Sequence, residues 1–271
     1  MLKVNKPLVS VITPSWNSAS YIEQTILSVI NQTYRNVEYI IIDGGSSDGT
    51  LDIIRKYESS IDYWVSETDD GMYQAINKGM QRASGEIVAY LNSDDLYYPD
   101  TLEKVVNFFA DNSSAELVYG NLDFVNEEGN KLFTQIYPRF SLNFFIMANC
   151  SMIGQPAAFW RSSLLKKTGM FDESLKMAAD FEFFIRAGMI GKLMYTPDVL
   201  AAFRTHKLSL TSTQSQRAQD EVRLIHENYL ANRSPILAAI VKNLFSIYFK
   251  VINYNAMGVK LAIVLRRLLN V

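Results

Sequence analysis

Residues 87–109 read IVAYLNSDDLYYPDTLEKVVNFF. Five apolar residues, Ile87 to Leu91, stop on Asn92-Ser93-Asp94-Asp95. Four residues later Pro99 and Asp100 open a segment with Leu102, Val105, Val106 and Phe109 at helical spacing. A short apolar run bounded by turn residues reads as a buried strand, here Glu86–Leu91. Asp100 suits an N-cap for a helix reaching Phe109. The unit is therefore strand, acidic turn, helix. Its turn is the puzzle, because adjacent carboxylates repel unless a positive charge or water stands between them.

The same alternation extends both ways. Upstream, LVSVIT (Leu8–Thr13) reads as a strand ending at Pro14. Ser20 and Glu23 fit a capping box ahead of Ile22, Ile26, Val29 and Ile30. VEYIII (Val37–Ile42) is a second strand ending on Asp43. Helix follows over Thr50–Tyr57, strand over Tyr63–Val65, and helix over Gln74–Ala83. Downstream, Leu117–Gly120 is strand-like, and Gln155–Phe171 reads as strand then helix. Met177–Gly188 reads as helix and Gly191–Arg204 mostly as strand. Strands alternating with helices imply parallel crossovers and a covered sheet. Such sheets bind ligands beyond the carboxyl ends of their strands. Polar clusters stand at four such ends: Pro14–Asn17, Asp43–Thr50, Glu67–Asp70 and Asn92–Asp95. That coincidence points to a single site.

The chain has 271 residues, 48% hydrophobic and 20% charged, with net charge −2. This is a globular balance with enough chain for a large core. It carries no broad basic surface for nucleic acid. The one cysteine, Cys150, excludes an internal disulfide framework and suits a reducing, cytoplasmic setting. No signal segment follows the first lysines, and no apolar stretch is long enough to span a bilayer. The end of the chain is distinct. Asn228 to Val271 contains no acid, while Arg233, Lys242, Lys250, Lys260, Arg266 and Arg267 punctuate apolar runs. Residues 233–271 thus read as basic amphipathic helices for an anionic membrane surface. The alternatives are packing on the body or on a second copy in a homodimer.

Read from the residues alone, Asp94 and Asp95 either hold a hard cation such as Mg²⁺ or Mn²⁺ or cap a solvated loop. Asp43, with Gly44 and Gly45 letting the backbone approach a ligand, either binds a base or ribose or shapes a tight turn around Asp48. Asp180, preceded by small residues at the start of its helix, reads as an N-cap. Neither G-x-x-x-x-G-K-[ST] nor G-x-G-x-x-G is present, which argues against P-loop and dinucleotide binding.

Taken in order, VSVITPSWN, YIEQTILSVINQTYRNVEYIIIDGGSSDGT, SETDDGMYQAINKGMQRASGEIVAYLNSDDLYYPDTL and GQPAAFWRSSLLKKTGMFDESLKMAADFEFFIRAG resemble the family 2 glycosyltransferases, in the branch that builds bacterial cell-surface polysaccharides. The resemblance covers most of residues 7–210. It implies an α/β, GT-A (Rossmann-like) fold: a mixed, mostly parallel central sheet with helices on both faces, over residues 1–232. It implies a nucleoside-diphosphate sugar as donor, a divalent metal (Mn²⁺ or Mg²⁺), a glycan or lipid-linked acceptor, and inversion at the anomeric carbon. It places Pro14, Asn17, Asp43, Asp69, Asn77, Lys78 and Ser93 at the donor, and Asp94, with Asp95 and His206, at the metal. Asp180 falls on the catalytic base, and the setting becomes the inner face of the membrane. Three positions depart from the family pattern. Asn92 replaces the first acid of D-x-D, Gly44 the second acid of D-D-G-S, and Gly154 a histidine before Gln155. A metal-dependent phosphatase or nucleotidyltransferase, or a non-catalytic sugar-nucleotide-binding subunit, are the competing functions.

Overall fold

The computed structural model describes residues 6–148 and 151–230, together with residues 243 and 247. Cys150, and the basic segment 233–271 except residues 243 and 247, lie outside the described residues. The elements run β1 (Val9–Ser15), α1 (Ile22–Ile30), β2 (Val37–Asp43), α2 (Thr50–Lys56), β3 (Tyr63–Ser66), α3 (Met72–Arg82), β4 (Ile87–Tyr90), β5 (Leu96–Tyr97) and α4 (Thr101–Asp111). Then come β6 (Leu117–Val125), β7 (Lys131–Gln135), α5 (Leu142–Ala148), β8 (Ala158–Arg161), α6 (Ser162–Thr168), α7 (Ala179–Ile190), β9 (Leu193–Arg204), α8 (Leu210–Thr213) and α9 (Ser215–Leu230).

The described strands form one sheet in the order β3-β2-β1-β4-β8-β6-β9-β5, with β7 on the side of β6. Strands β1 to β4 are parallel, and β6 and β9 are parallel to each other. Strands β5, β7 and β8 run antiparallel to their neighbours. The sheet is therefore mixed and mostly parallel, as the strand–helix alternation demands. Residues Ile87 to Leu91 are at most 1% exposed, so the run before the acidic turn is a fully buried strand.

Three local expectations change. β1 does not stop at Pro14 but continues through it to Ser15. Proline is tolerated because β4 pairs only with Val9–Ile12, so Pro14 owes no donor to that neighbour. The capping box at α1 does not form. The N-cap is Tyr21 with no side-chain cap, and Glu23 instead accepts from Lys56 Nζ (2.6 Å) and Tyr57 Oη (2.7 Å). Asp100 is the N-cap of α4, but its carboxylate pairs with Lys104 (2.9 Å) rather than with the first turn.

Candidate active site

The four polar strand ends are laced together. Gly44 N–H donates to Ser15 O (2.8 Å) and Glu67 N–H to Asp43 O (3.0 Å). Asn17 has φ +47°, a left-handed conformation in which asparagine is favoured over other non-glycine residues. From there its N–H donates to Ser46 Oγ (2.7 Å), and its Oδ1 accepts from Ser47 N–H (2.9 Å). Ser18 shares a hydroxyl hydrogen bond with Ser93 (2.6 Å), tying the first loop to the acidic turn. Thr25 Oγ1 on α1 donates to Ser93 O (2.9 Å) and Asp95 O (2.8 Å), fixing that turn from below. Pro14, Asn17, Asp43 and Ser93 therefore belong to one rim.

Asp43 is the organiser of this rim. It is fully buried, and its carboxylate accepts from Gly45 N, Ser46 N, Ser46 Oγ and Ser66 Oγ. Asp69 accepts from Gly71 N–H (2.9 Å). A Cβ on Gly44 would lie 2.8 Å from Asp69 Oδ2, so glycine there leaves room for the Asp69 carboxylate. Trp16 stands on the rim 67% exposed.

The adjacent acids point apart. Strand β5 pairs antiparallel with β9, Leu96 opposite Ala202 and Tyr97 opposite Ala201. Continuing that register brings the acidic turn to the end of β9. There Asp94 Oδ2 lies 2.9 Å from His206 Nε2, the aspartate side chain 26% exposed and the histidine 7%. Asp95 turns inward and is fully buried, with Oδ1 accepting the Arg204 N–H (3.0 Å) and Oδ2 unpartnered. Burial, then the Asp94 charge, raises Asp95 well above the ordinary aspartate value. Among the described residues no group of three or more His, Cys, Asp or Glu converges on one point. Of the expected trio the structure brings Asp94 and His206 together, while the Asp95 carboxylate turns inward against β9.

Arg204 supplies the positive charge the turn required, and nothing in its sequence context marks it. It is fully buried, yet among the described residues no carboxylate hydrogen-bonds its guanidinium. It donates to Asp94 O (2.9 Å), Glu127 O (2.5 Å), Asn126 O (3.4 Å) and Gln24 Oε1 (2.7 Å). The Tyr21 ring lies 5.1 Å from the guanidinium and 4.5 Å from the His206 ring. Arg204 thus holds Asp94 by its backbone and His206 through Tyr21.

Asp180 opens α7 and lies against α3. Its Oδ1 accepts from Tyr73 Oη (3.1 Å) and from Phe181 N–H (2.9 Å). Burial raises Asp180 above the ordinary aspartate value, and these two donors oppose the rise. A carboxylate so placed is suited to take a proton. Two expected donor contacts have other work. Asn77, 3% exposed, spends its whole amide on Phe171 O (2.8 Å), Glu173 Oε1 (2.8 Å) and Phe171 N–H (3.0 Å). Lys78 pairs with Glu67 (2.6 Å). The resemblance places both at the donor, and these contacts tie Asn77 to the 171–173 segment and Lys78 to Glu67. At Gly154 a Cβ would meet Leu122 Cδ1 at 2.3 Å and Tyr137 Oη at 2.8 Å, so any side chain is shut out. Asn92 Oδ1 is buried without a partner, while its amide approaches Gln155 Oε1 at 3.5 Å.

Comparison with known proteins agrees with this geometry. The model of the family described as "Glycosyl transferase family 2" matches residues 10–169. An uncharacterized glycosyltransferase of Rickettsia typhi is 31% identical over 221 residues, covering 79% of this chain and 69% of the relative. TuaG of Bacillus subtilis, provisionally described as a teichuronic acid biosynthesis glycosyltransferase, is 46% identical over 113 residues, 41% of this chain and 45% of TuaG. The fold of Staphylococcus aureus TarS 1-349, solved with UDP-GlcNAc, superposes with a TM-score of 0.67 at 20% identity, covering 95% of this chain and 79% of that one. The full TarS chain is longer, and this chain spans 44% of it. The mannosyltransferase PcManGT of Pyrobaculum calidifontis, solved with GDP-Man and Mn²⁺, gives 0.61 at 19% identity, covering 98% and 81%. The chain belongs to glycosyl transferase family 2, has the GT-A fold, and is a glycosyltransferase.

Proposed function

We propose that the enzyme moves a sugar from a nucleoside-diphosphate sugar to a hydroxyl of a glycan or lipid-linked acceptor, with inversion, in the building of a bacterial surface polysaccharide. The observation that carries this reading is the Asp94–His206 contact (2.9 Å), on the same sheet end as a half-buried Asp180 whose carboxyl is raised. TuaG and the TarS and PcManGT complexes, with their donors and Mn²⁺, support it by likeness.

One carboxylate and one imidazole, converging at Asp94 Oδ2 and His206 Nε2 (2.9 Å), fit a Mn²⁺ or Mg²⁺ ion. Such ions are commonly completed by substrate phosphates and water, so the pair fits a metal that binds together with the donor. When bound, the cation supplies charge neutralisation to the departing diphosphate. The rest falls to the protein. Trp16 offers an exposed face to the base, and the Asn17–Ser46 latch shapes the nucleoside rim. Asp180 accepts the acceptor hydroxyl's proton as that oxygen bonds to the anomeric carbon from the far side. The bond from that carbon to the diphosphate oxygen breaks, and its electrons leave with the diphosphate. Only one base is needed, because the nucleophile is the acceptor itself.

Residues 233–271 are proposed to rest on the anionic inner face of the membrane. Liposome co-sedimentation of the full chain against one ending at Asn232 tests this, and equal binding by both would refute it. Among the described residues no helix is long and apolar enough to cross a membrane. For the reaction, calorimetric titration with UDP-, GDP- and dTDP-sugars plus Mn²⁺ should find one donor. Proton NMR of the product should show the opposite anomer. Retained anomeric configuration, or no binding by any donor, refutes the proposal.

A further inference from the structure

Helix α7 begins with Asp180 in its first turn but has no cap of its own: the N-cap is Ala178, without a side-chain hydrogen bond. The three backbone N–H groups that lead into the helix are held instead from another helix. Glu221 of α9 accepts the backbone N–H of Lys176 (3.0 Å to each oxygen), Met177 (2.8 Å) and Ala178 (3.1 Å). Its side chain is 13% exposed, and Arg217, one turn earlier, holds Oε1 at 3.0 Å. Burial pushes Glu221 up, and these donors together outweigh it and keep the residue below the ordinary glutamate value. Three successive N–H groups converging on one carboxylate make a filled anion nest. The same loop is gripped from the opposite side, where Asn77 of α3 binds Phe171 and Glu173 and Tyr73 binds Asp180. Residues 171–178 are thus clamped between α3 and α9, and Asp180 follows the clamp by two residues.

We propose that Glu221 is a positioning residue for Asp180. It acts through the Lys176–Ala178 backbone and fixes where α7 starts, and so where the base stands relative to the acceptor hydroxyl. The inference rests on the reading of Asp180 as the base. It follows from geometry. Asp180 Oδ1 is fixed by Tyr73 and Phe181, but the helix start that carries both Asp180 and the Phe181 N–H is set by Glu221. A misplacement of about 1 Å costs a proton-transfer step on the order of 100-fold. Among the described residues Glu221 makes no hydrogen bond to the β1–β4 loops that form the donor rim. The segment it holds reaches them through the Lys176 side chain, whose Nζ donates to Asp70 O (2.9 Å), rather than through the backbone that Glu221 fixes. A clamp that serves only stability would lower the melting temperature and leave the turnover of folded enzyme unchanged. A positioning clamp lowers kcat and leaves the donor KM alone.

The test uses the full chain and metal-dependent release of nucleoside diphosphate from the donor, assayed well below each variant's melting temperature. Glu221→Ala should lose about 10- to 100-fold in kcat with donor KM within about twofold. Arg223→Ala, an exposed residue of the same helix paired with Asp220, should match wild type. Glu221→Gln keeps the shape and one acceptor, and should lose kcat to a smaller extent; it carries the test if Glu221→Ala does not fold. Folded Glu221 variants with wild-type kcat, alongside an inactive Asp180→Asn, overturn the clamp and spare the base. An active Asp180→Asn overturns the base, and the clamp with it.

Discussion

Replacing Arg204 by methionine keeps the buried stem and removes the guanidinium. Four hydrogen bonds go with it, to Asp94 O, Asn126 O, Glu127 O and Gln24 Oε1. A hydrogen bond to a charged group contributes about 1.5–3 kcal/mol, and a buried acceptor left unmade costs about 1–3. Against this, the fully buried charge no longer has to be desolvated, which returns several kcal/mol. The three backbone carbonyls, fixed in their turns against the buried stem, lose their donor, so the balance falls on the side of loss, about 2–4 kcal/mol. In a domain of this size each kcal/mol moves the melting point by about 2–4 °C, giving a drop of about 4–16 °C. Catalysis should fall further than stability suggests, because Asp94 loses its backbone anchor and Tyr21 loses the cation beneath it. Arg204→Lys should behave similarly, since one ammonium cannot reach what a planar fork reaches. Thermal melting by circular dichroism and donor turnover measure both effects. A melting point within about 1 °C of wild type and unchanged kcat would refute the claim that this buried cation builds the site.

Other consequences concern the base and the helix behind it. Burial raises Asp180 in the folded state, so its neutral form favours folding. That contribution is complete below the unfolded aspartate value and is lost as pH rises through the folded one. Asp180→Asn should therefore melt higher than wild type at pH 7–8, an advantage gone below about pH 4. The Tyr73 hydroxyl lowers Asp180, so Tyr73→Phe should move the acid limb of the pH–rate profile upward. Gly79→Ala puts a Cβ 2.4 Å from Ile12 Cγ2. It should cost about 1–3 kcal/mol of overpacking in denaturant titrations, despite alanine's advantage in helices, and Ile12→Ala in the same chain should offset part of the loss.

The alternation of short apolar runs with amphipathic segments was enough to order β1 to β4 and their helices, since buried parallel strands and covering helices leave distinct periods. The ends of β2 and β4, and so much of the rim, followed from Asp43 and Asn92, whereas β1 runs through Pro14 to Ser15. Strands β5 and β7 and helix α5 were not legible. Two residues, Leu96-Tyr97, carry no period, and the β7 residues Leu132 and Phe133 are exposed at 55% and 49%, against the usual alternation. What the acids do was equally hidden. Asp94 and Asp95 look equivalent in the chain, and only the β5–β9 register sends one to His206 and the other beneath Arg204. Asn77 and Glu221 gave no local signal either. Their partners lie 94–96 and 43–45 residues away, distances that no spacing rule reaches.

The central claim is that Asp94 and His206 complete their site with the donor diphosphate while Asp180 serves as base. Release of nucleoside diphosphate from the bound sugar nucleotide, followed with and without Mn²⁺ in wild type, Asp94→Ala and Asp180→Asn, tests it most directly. The account predicts metal-dependent release in wild type, abolished by Asp94→Ala and strongly reduced by Asp180→Asn with donor affinity preserved. Release that ignores the metal, or that survives both substitutions in folded protein, would contradict it.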